Sequence, residues 1–464
     1  MKNLRLTLAI IAGKILIYIS RLLGHQGTSF PGRIARKIYP RILRTLSTNI
    51  RREIVVITGT NGKTTTSNML AEILQQQGYS LVHNRLGANM LPGITTAFIE
   101  KSDIHGSRKF DYALLETDEA TVPLLLRETR PRLVLITNFF QDQLDRYGEM
   151  DHTIKLIQEA VKEQEIEMLL NADDPLTANF KAETGLKCRY YGFDDSSYAD
   201  SRSMDGREAR YCAFCGHQLE YEKYHYAQLG QYSCPHCHSR NPEKDFTGQE
   251  LEMSPDIELK VDGMALKSPY QGFHNAYNIL AAVSLARLLG VEEENIKKAI
   301  ASFQPQAGRM EAFFINGKRV VLALVKNPTA LNQTLASLIY DPGRKNLFFA
   351  LNDNAADGRD ISWIWDADVE LLEYENVMVE QIVCSGQRSG DIALRFKYAG
   401  FPQERIRIEA ELSRAIELAV QGSVDSSYIL CSYTALFACQ RILREMEKRS
   451  GAGEETEKAY QPQS

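Results

Sequence analysis

Glu53-Ile-Val-Val-Ile-Thr-Gly-Thr-Asn-Gly-Lys-Thr-Thr65 is the stretch on which the fold turns. Glu53 to Thr58 is a short β-branched run that predicts a buried strand. A turn with Gly59 and Gly62 follows at once, then a helical pattern from about Lys63 to Gln77 that Gly78 stops. Glycines placed between strand and helix let backbone N–H groups close on phosphate oxygens, and the helix N-terminus adds positive potential. Gly59, Thr60, Asn61, Gly62, Lys63, Thr64 and Thr65 are therefore candidate ATP-binding residues, with Lys63 reaching the terminal phosphates and Thr64 ligating Mg²⁺. The loop is two residues shorter between its glycines than the standard GxxxxGK[ST] form. The bland alternative is a glycine turn with an exposed lysine. Agreement of strand, loop, paired hydroxyls and helix favours phosphate binding.

Outward from this loop, Tyr112 to Glu116, Leu133 to Asn138 and Met168 to Asn171 are further apolar runs with helical patterns between them, as in a mainly parallel sheet. Ligands of such sheets bind beyond the carboxyl ends of the strands, where Gly59, Glu116 and Asn138 fall. Asn278 to Leu289 reads as a helix ended by Gly290. Near Gln306 a second α/β unit begins, with strands expected at 320–325, 346–351, 377–384 and 428–431. The expected organisation is an N-terminal helical segment (1–50), a central ATP-binding domain (51–305), a smaller C-terminal Rossmann-like domain (306–447) and a polar, disordered tail (448–464).

Between Asp194 and Asp245 the pattern breaks. Cys212-Ala-Phe-Cys215 and Cys234-Pro-His-Cys237 are two CxxC knuckles separated by 18 residues, the spacing of a zinc ribbon, expected over about 206–245. Four thiolates close a tetrahedral Zn²⁺ and leave no position for substrate, so the expected role is structural. His217, His236 and His238 are alternative ligands in the same segment. Cys188, Cys384, Cys431 and Cys439 read mostly as core residues.

The formal charge of −5 gives no pull toward nucleic acid, and no nucleic-acid partner is expected. Eight cysteines in 464 residues, half of them in CxxC pairs, fit a reducing cytoplasmic setting. Leu8 to Ile19 is apolar and follows Lys2 and Arg5, but it lacks a small-residue cleavage site and is too short to span a bilayer. It reads as a helix docked on the protein; peripheral contact with the inner face of the membrane stays open as the other reading.

The shortened loop Thr58-Gly-Thr-Asn-Gly-Lys-Thr-Thr65 resembles that of the Mur ligase family, and other landmarks follow in the family's order. Glu116 in Leu115-Glu-Thr-Asp-Glu-Ala120 resembles the Mg²⁺-holding glutamate, as befits a hard-oxygen ligand at a strand end. Asp142 to Gly148 resembles a family signature, with Gln143 where a histidine usually stands, and Asn171-Ala-Asp-Asp-Pro175 matches another. Gly272-Phe-His-Asn-Ala-Tyr-Asn278 resembles the segment that meets the nucleotide base, which implies roles for Asn275 and Asn278. Arg309 in Gly308-Arg-Met-Glu311 resembles a phosphate-contacting arginine.

Where amino-acid-adding members have an aspartate and histidine before Asn-Pro, this chain reads Ala323-Leu-Val-Lys-Asn-Pro328. Together with the four cysteines and Leu351-Asn-Asp-Asn-Ala-Ala-Asp-Gly-Arg-Asp360, that departure resembles the MurT branch. The resemblance implies a Mur ligase-type P-loop domain with an inserted zinc ribbon, using ATP, Mg²⁺ and a structural Zn²⁺. It implies a glutamine amidotransferase partner of the GatD type and a lipid II precursor as acceptor. The expected reaction amidates the α-carboxyl of D-glutamate in the stem peptide, through an acyl phosphate, to D-isoglutamine. Asp360 would be offered to the partner's cysteine and histidine as their orienting carboxylate; Asp353 and Asp357 are weaker candidates, and Trp363 and Trp365 candidate interface residues. The alternative is a Mur or folylpolyglutamate-type ligase that adds an amino acid to a carboxylate.

Overall fold

The computed structural model describes residues 2–23, 27–85, 88–140, 150–194, 209–253, 256–270, 272–304, 308–341, 343–373 and 377–450. They form two compact units, one up to residue 303 and one from residue 304 onward.

The first unit begins with helices α1 (Lys2–Leu22), α2 (Phe30–Ile38) and α3 (Ile42–Ser47). Strand β1 (Ile50–Thr58) leads into α4 (Lys63–Gln76), and β2 (Leu81–His83) into α5 (Leu91–Lys101). Then come β3 (Phe110–Glu116), β4 (Leu133–Ile136), β5 (Glu167–Asn171) and β6 (Lys187–Phe193). The hairpin β7 (Glu220–Tyr226) and β8 (Leu229–Ser233) stands apart, and β9 (Phe246–Glu252), β10 (Ile257–Val261) and β11 (Met264–Ser268) rejoin the main sheet.

That sheet has nine strands in the order β11-β10-β9-β6-β5-β4-β1-β3-β2. From β2 to β9 its neighbours run parallel. The β-branched run of β1 is buried on both faces because each face has its own core. Val55 and Ile57 pack with α4 and the helix Phe273–Leu288, whereas Ile54 and Val56 pack with α1, α3 and α5.

Two features go beyond the expected parallel sheet. Beyond β9, strands β10 and β11 extend it antiparallel, and β10 turns into β11 through Asp262 and Gly263, both at positive φ. An Asp-Gly pair between alternating apolar residues is the sequence signal of such a hairpin. The second feature is the apolar run 8–19, which lies within the 21-residue helix α1 docked against α2 and α5. Among the described residues no helix is long and apolar enough to cross a membrane.

The second unit adds β12 (Arg309–Ile315), β13 (Lys318–Leu324), β14 (Lys345–Ala350), β15 (Val379–Ser385), β16 (Ile406–Ile408) and β17 (Ser426–Cys431). Their order is β12-β13-β17-β14-β15-β16, all parallel except β12. Cores lie on both faces of this sheet. Its last helix runs Tyr433–Arg449, past the expected start of the tail at 448; residues 451–464 lie outside the described residues.

Candidate functional site

The loop after β1 is shaped by its two glycines. Gly59 has φ +116°, and a Cβ there would lie 2.3 Å from the Thr137 hydroxyl. Gly62 has φ +83°, and a Cβ would lie 2.1 Å from Asn278 Oδ1. Neither conformation nor space admits a side chain.

The loop is strapped to the residues that follow β4. Thr60 N–H donates to the Asn138 carbonyl at 2.9 Å, Asn61 N–H to Asn138 Oδ1 at 3.0 Å, and the Thr137 hydroxyl to the Asn61 carbonyl at 2.7 Å. Phe140 N–H donates to the Thr60 hydroxyl at 3.0 Å. Asn275 and Asn278 sit against the loop from the helix Phe273–Leu288. Asn278 accepts from the Thr66 hydroxyl at 3.3 Å and donates to Asn275 Oδ1 at 3.0 Å.

Thr64 and Glu116, far apart in sequence, come together: the Thr64 hydroxyl donates to Glu116 Oε1 at 3.0 Å. Adjacent oxygens of an octahedral Mg²⁺ shell are about 2.9 Å apart, so this hydroxyl and carboxylate suit that ion. Asn84 fixes the end of β3, accepting from Glu116 N–H at 2.9 Å and donating to its carbonyl at 2.7 Å. Lys63 is buried; its ammonium donates to the carbonyls of Gly59 and Thr60, and to the Glu119 carboxylate at 3.3 Å. Thr65 is buried in the first turn of α4. The Arg309 side chain and the segment 141–149, with Gln143, lie outside the described residues.

The four knuckle cysteines converge. Cys212 Sγ is 3.6 Å from Cys237 Sγ and Cys215 Sγ is 3.5 Å from Cys234 Sγ, with all four sulfurs within 4.8 Å of one another. Tetrahedral Zn²⁺ with bonds of ~2.3 Å needs sulfurs about 3.8 Å apart, so the set fits zinc. Both knuckles use one turn: Gly216 N–H donates to Cys212 C=O at 2.9 Å, and His238 N–H to Cys234 C=O at 3.0 Å. Each turning residue is left-handed, at φ 73° for Gly216 and 60° for His238. His217 and His236 stack on one another at 3.9 Å, and with Cys215 they form the second grouping, among the described residues, able to hold a metal ion.

Below the knuckles, hairpin β7–β8 is pinned to the strand-end segment 171–174. Gly230 N–H donates to the Asp173 carbonyl at 2.9 Å, and Asn241 to the Ala172 carbonyl at 3.0 Å. Asp173 is fully buried. It accepts from the Tyr277 hydroxyl at 2.8 Å and lies near His225 and Lys244, at 3.7 and 3.3 Å. Burial alone would raise its pKa, but the His225 hydrogen bond and the Lys244 charge hold it below the ordinary value. Burial pushes its neighbour Asp174 up to about 6, although the Phe139 and Leu176 N–H groups and Gln228 oppose the rise. Gln228, at the hairpin tip, donates to the Phe139 carbonyl, one residue from Asn138.

In the second unit Asp360 is half-buried and accepts from Ser362 N–H at 2.8 Å, at the start of the turn Ser362–Trp365; the Ser362 hydroxyl, and then its N–H, lower the Asp360 pKa. Asp357 is buried and accepts from Thr434 N–H and its hydroxyl at 2.7 and 2.6 Å, so it anchors the last helix. Asp353 pairs with Arg388 at 2.6 Å. Trp363 belongs to the core, which removes it from the candidate interface residues. Trp365 is exposed beside the exposed Tyr398, with ring centroids 5.8 Å apart.

Glu119, Asn84 and Thr137 are the site residues that the motifs did not single out. Glu119 stands three residues after Glu116 in the same quoted segment, so its signal was present; Asn84 has none, because only the pairing of β2 with β3 brings it to the site.

A glycine loop and a hydroxyl–carboxylate pair stand at the carboxyl ends of a parallel sheet, and residues 57–286, which hold them, match the Mur ligase middle domain family. The chain belongs to the MurT family. Residues 324–436 match the MurT ligase C-terminal family. The chain is 38% identical over 391 residues to the lipid II isoglutaminyl synthase (glutamine-hydrolyzing) subunit MurT of Staphylococcus aureus, covering 84% of this chain and 87% of that one. It is 35% identical over 445 residues to the subunit of the same name from Streptococcus pneumoniae, covering 95% and 97%. A pseudomurein peptide ligase type C from Methanothermus fervidus shares the fold, with TM-score 0.66 and 21% identity over 86% of this chain and 79% of that one.

Proposed function

We propose that this chain is the ATP-dependent ligase subunit of a lipid II isoglutaminyl synthase. It would convert the α-carboxyl of D-glutamate in the stem peptide to an amide with ammonia from a glutaminase partner of the GatD type. The observation that carries this reading is that the likeness to the MurT subunits spans both units rather than the ATP-binding unit alone. Loss of the aspartate and histidine before Asn327-Pro328 argues in the same direction, against amino-acid addition.

In this reading Lys63 leaves the loop carbonyls for the terminal phosphates of ATP, and the N–H groups of the Gly59 loop surround them. Thr64 and Glu116 would hold Mg²⁺, which neutralises charge on the phosphates when bound. The substrate carboxylate takes the γ-phosphate, and ammonia displaces it as phosphate, leaving the amide. Asn275 and Asn278 act from beside the loop, and Arg309 is assigned to phosphate contact on its motif. Cys212, Cys215, Cys234 and Cys237 would hold a structural Zn²⁺. Asp360 would orient the partner's histidine, exchanging its hydrogen bond from Ser362 N–H for that contact; Trp365 and Tyr398 offer apolar surface nearby on the same unit. The site of action is the cytoplasmic face, where ATP is available.

The test is glutamine-dependent amidation of lipid II followed by mass spectrometry, with and without a glutaminase subunit. Amidation should require the partner and vanish in Lys63→Ala. Asp360→Asn should lose the glutamine-driven reaction and keep the ammonia-driven one. ATP-dependent addition of an amino acid, with no amidation under any condition, would replace this reading with the ordinary ligase one.

A further inference from the structure

Helix α1 is two-sided in a way its docking does not use up. Leu4, Leu8, Ile11, Ile15, Tyr18 and Leu22 advance in steps of four and three, so at 100° per residue they share a stripe about 80° wide. All six are exposed, Leu4 and Tyr18 by 66% and Leu22 by 69%, whereas Leu6, Ala9, Ile10 and Ile17 on the opposite face are buried. That inner face is held tightly: a Cβ on Gly13 would lie 2.9 Å from Ile99 of α5. The helix is about 31 Å long, yet it cannot stand upright in a bilayer without stripping this packed face from the protein.

Charge selects what covers the outer stripe. Residues 1–52 contain eleven Lys and Arg and not one Asp or Glu, although the whole chain has formal charge −5. Arg5 on α1, with Arg33, Lys37, Arg41 and Arg44 on and between α2 and α3, are exposed. A second copy could meet the same stripe as a coiled-coil seam, since steps of four and three are those of a heptad. The positions of α1 flanking that seam include Arg5, Lys14 and Arg21 and no acid; Glu100 of α5 pairs with Arg21 at 2.7 Å but leaves the flank net basic, so two copies would set like charges together. An anionic surface with an apolar interior satisfies both features, and Tyr18 has the amphipathic ring that settles at such a boundary.

We propose that the outer stripe of α1 lies in the plane of an anionic lipid bilayer, with its apolar side chains in the acyl boundary and the exposed Arg5, Arg33, Lys37, Arg41 and Arg44 among the headgroups. The surface is independent of the amidation reaction. It requires no substrate lipid.

The test is co-sedimentation of the full chain with phosphatidylglycerol-containing vesicles that hold no peptide-bearing lipid. Binding should weaken roughly tenfold or more on pure phosphatidylcholine vesicles and again at high salt. Leu8→Asp with Ile15→Asp should abolish it without lowering the melting temperature, because both side chains already face water. Absence of binding, or binding that the double variant retains, overturns the proposal. A dimer in sedimentation velocity that the same double variant dissolves would assign the stripe to a second copy instead. Failure here leaves the amidation reading untouched, since that assay needs no bilayer.

Discussion

Gly62 shows how far single residues decide this site. Its left-handed φ costs an L side chain roughly 1–2 kcal/mol, and the Cβ would also push into Asn278. Gly62→Ala is therefore expected to lower the melting temperature, and, because relief of the clash displaces the loop from Asn278, to weaken ATP binding at least about tenfold by calorimetry. His83 behaves differently. It is half-buried, 2.7 Å from the Ser67 hydroxyl, and desolvation, with Arg85 and Lys101 nearby, drops its pKa to about 3. A lowered pKa in the folded state means that the unfolded chain takes up a proton first as pH falls below 6.5, and stability is lost across that window. Between pH 7 and pH 5 this single group accounts for about 2 kcal/mol. Denaturant titrations of His83→Gln should show a correspondingly shallower loss over those two units, whatever the substitution does at pH 7.

At the scale of elements, the strand, loop and helix around Lys63 were legible because local pattern and chemistry agree there. Strand β1 begins at Ile50, three residues before its apolar run, because pairing with Phe110 extends it. Hairpin β7–β8 was not legible: Glu220–Tyr226 is largely polar and aromatic, and its order comes from contact with segment 171–174. That contact gives the insertion a job apart from any metal its cysteines would hold. Gln228 reaches from its tip to Phe139, whose neighbour Asn138 holds Thr60 and Asn61. Gln228→Ala removes a buried hydrogen bond worth about 1–3 kcal/mol. It should raise KM for ATP more than it lowers kcat; an unchanged KM with reduced thermal stability would mark Gln228 as a purely structural prop.

Across the whole chain, the sequence announced two α/β units and both clusters of chemistry, since loops and CxxC pairs are local signals. Partnerships such as Lys63 with Glu119, or Asn84 with Glu116, depend on which strands become neighbours, and no local pattern records that. Sheet order also changes what the cysteine insertion is. Phe193 of β6 pairs with Gly248 of β9 in parallel, so the 52 residues between the two strands are the crossover between neighbours, not an appendage hung from a turn. Parallel neighbours need a dozen or more residues to reconnect, so a tight turn cannot replace this segment. Bridging Cys212 to Cys237 short-circuits 25 of those 52 residues and nearly halves the loop that must close before β9, β10 and β11 can join. Halving a flexible loop is worth only about 0.6 kcal/mol in chain entropy. The clip is therefore a weak fastener for the sheet. Its larger consequence would be one of sequence in time: three strands of the main sheet follow, along the chain, a segment that a bound metal ion would draw together.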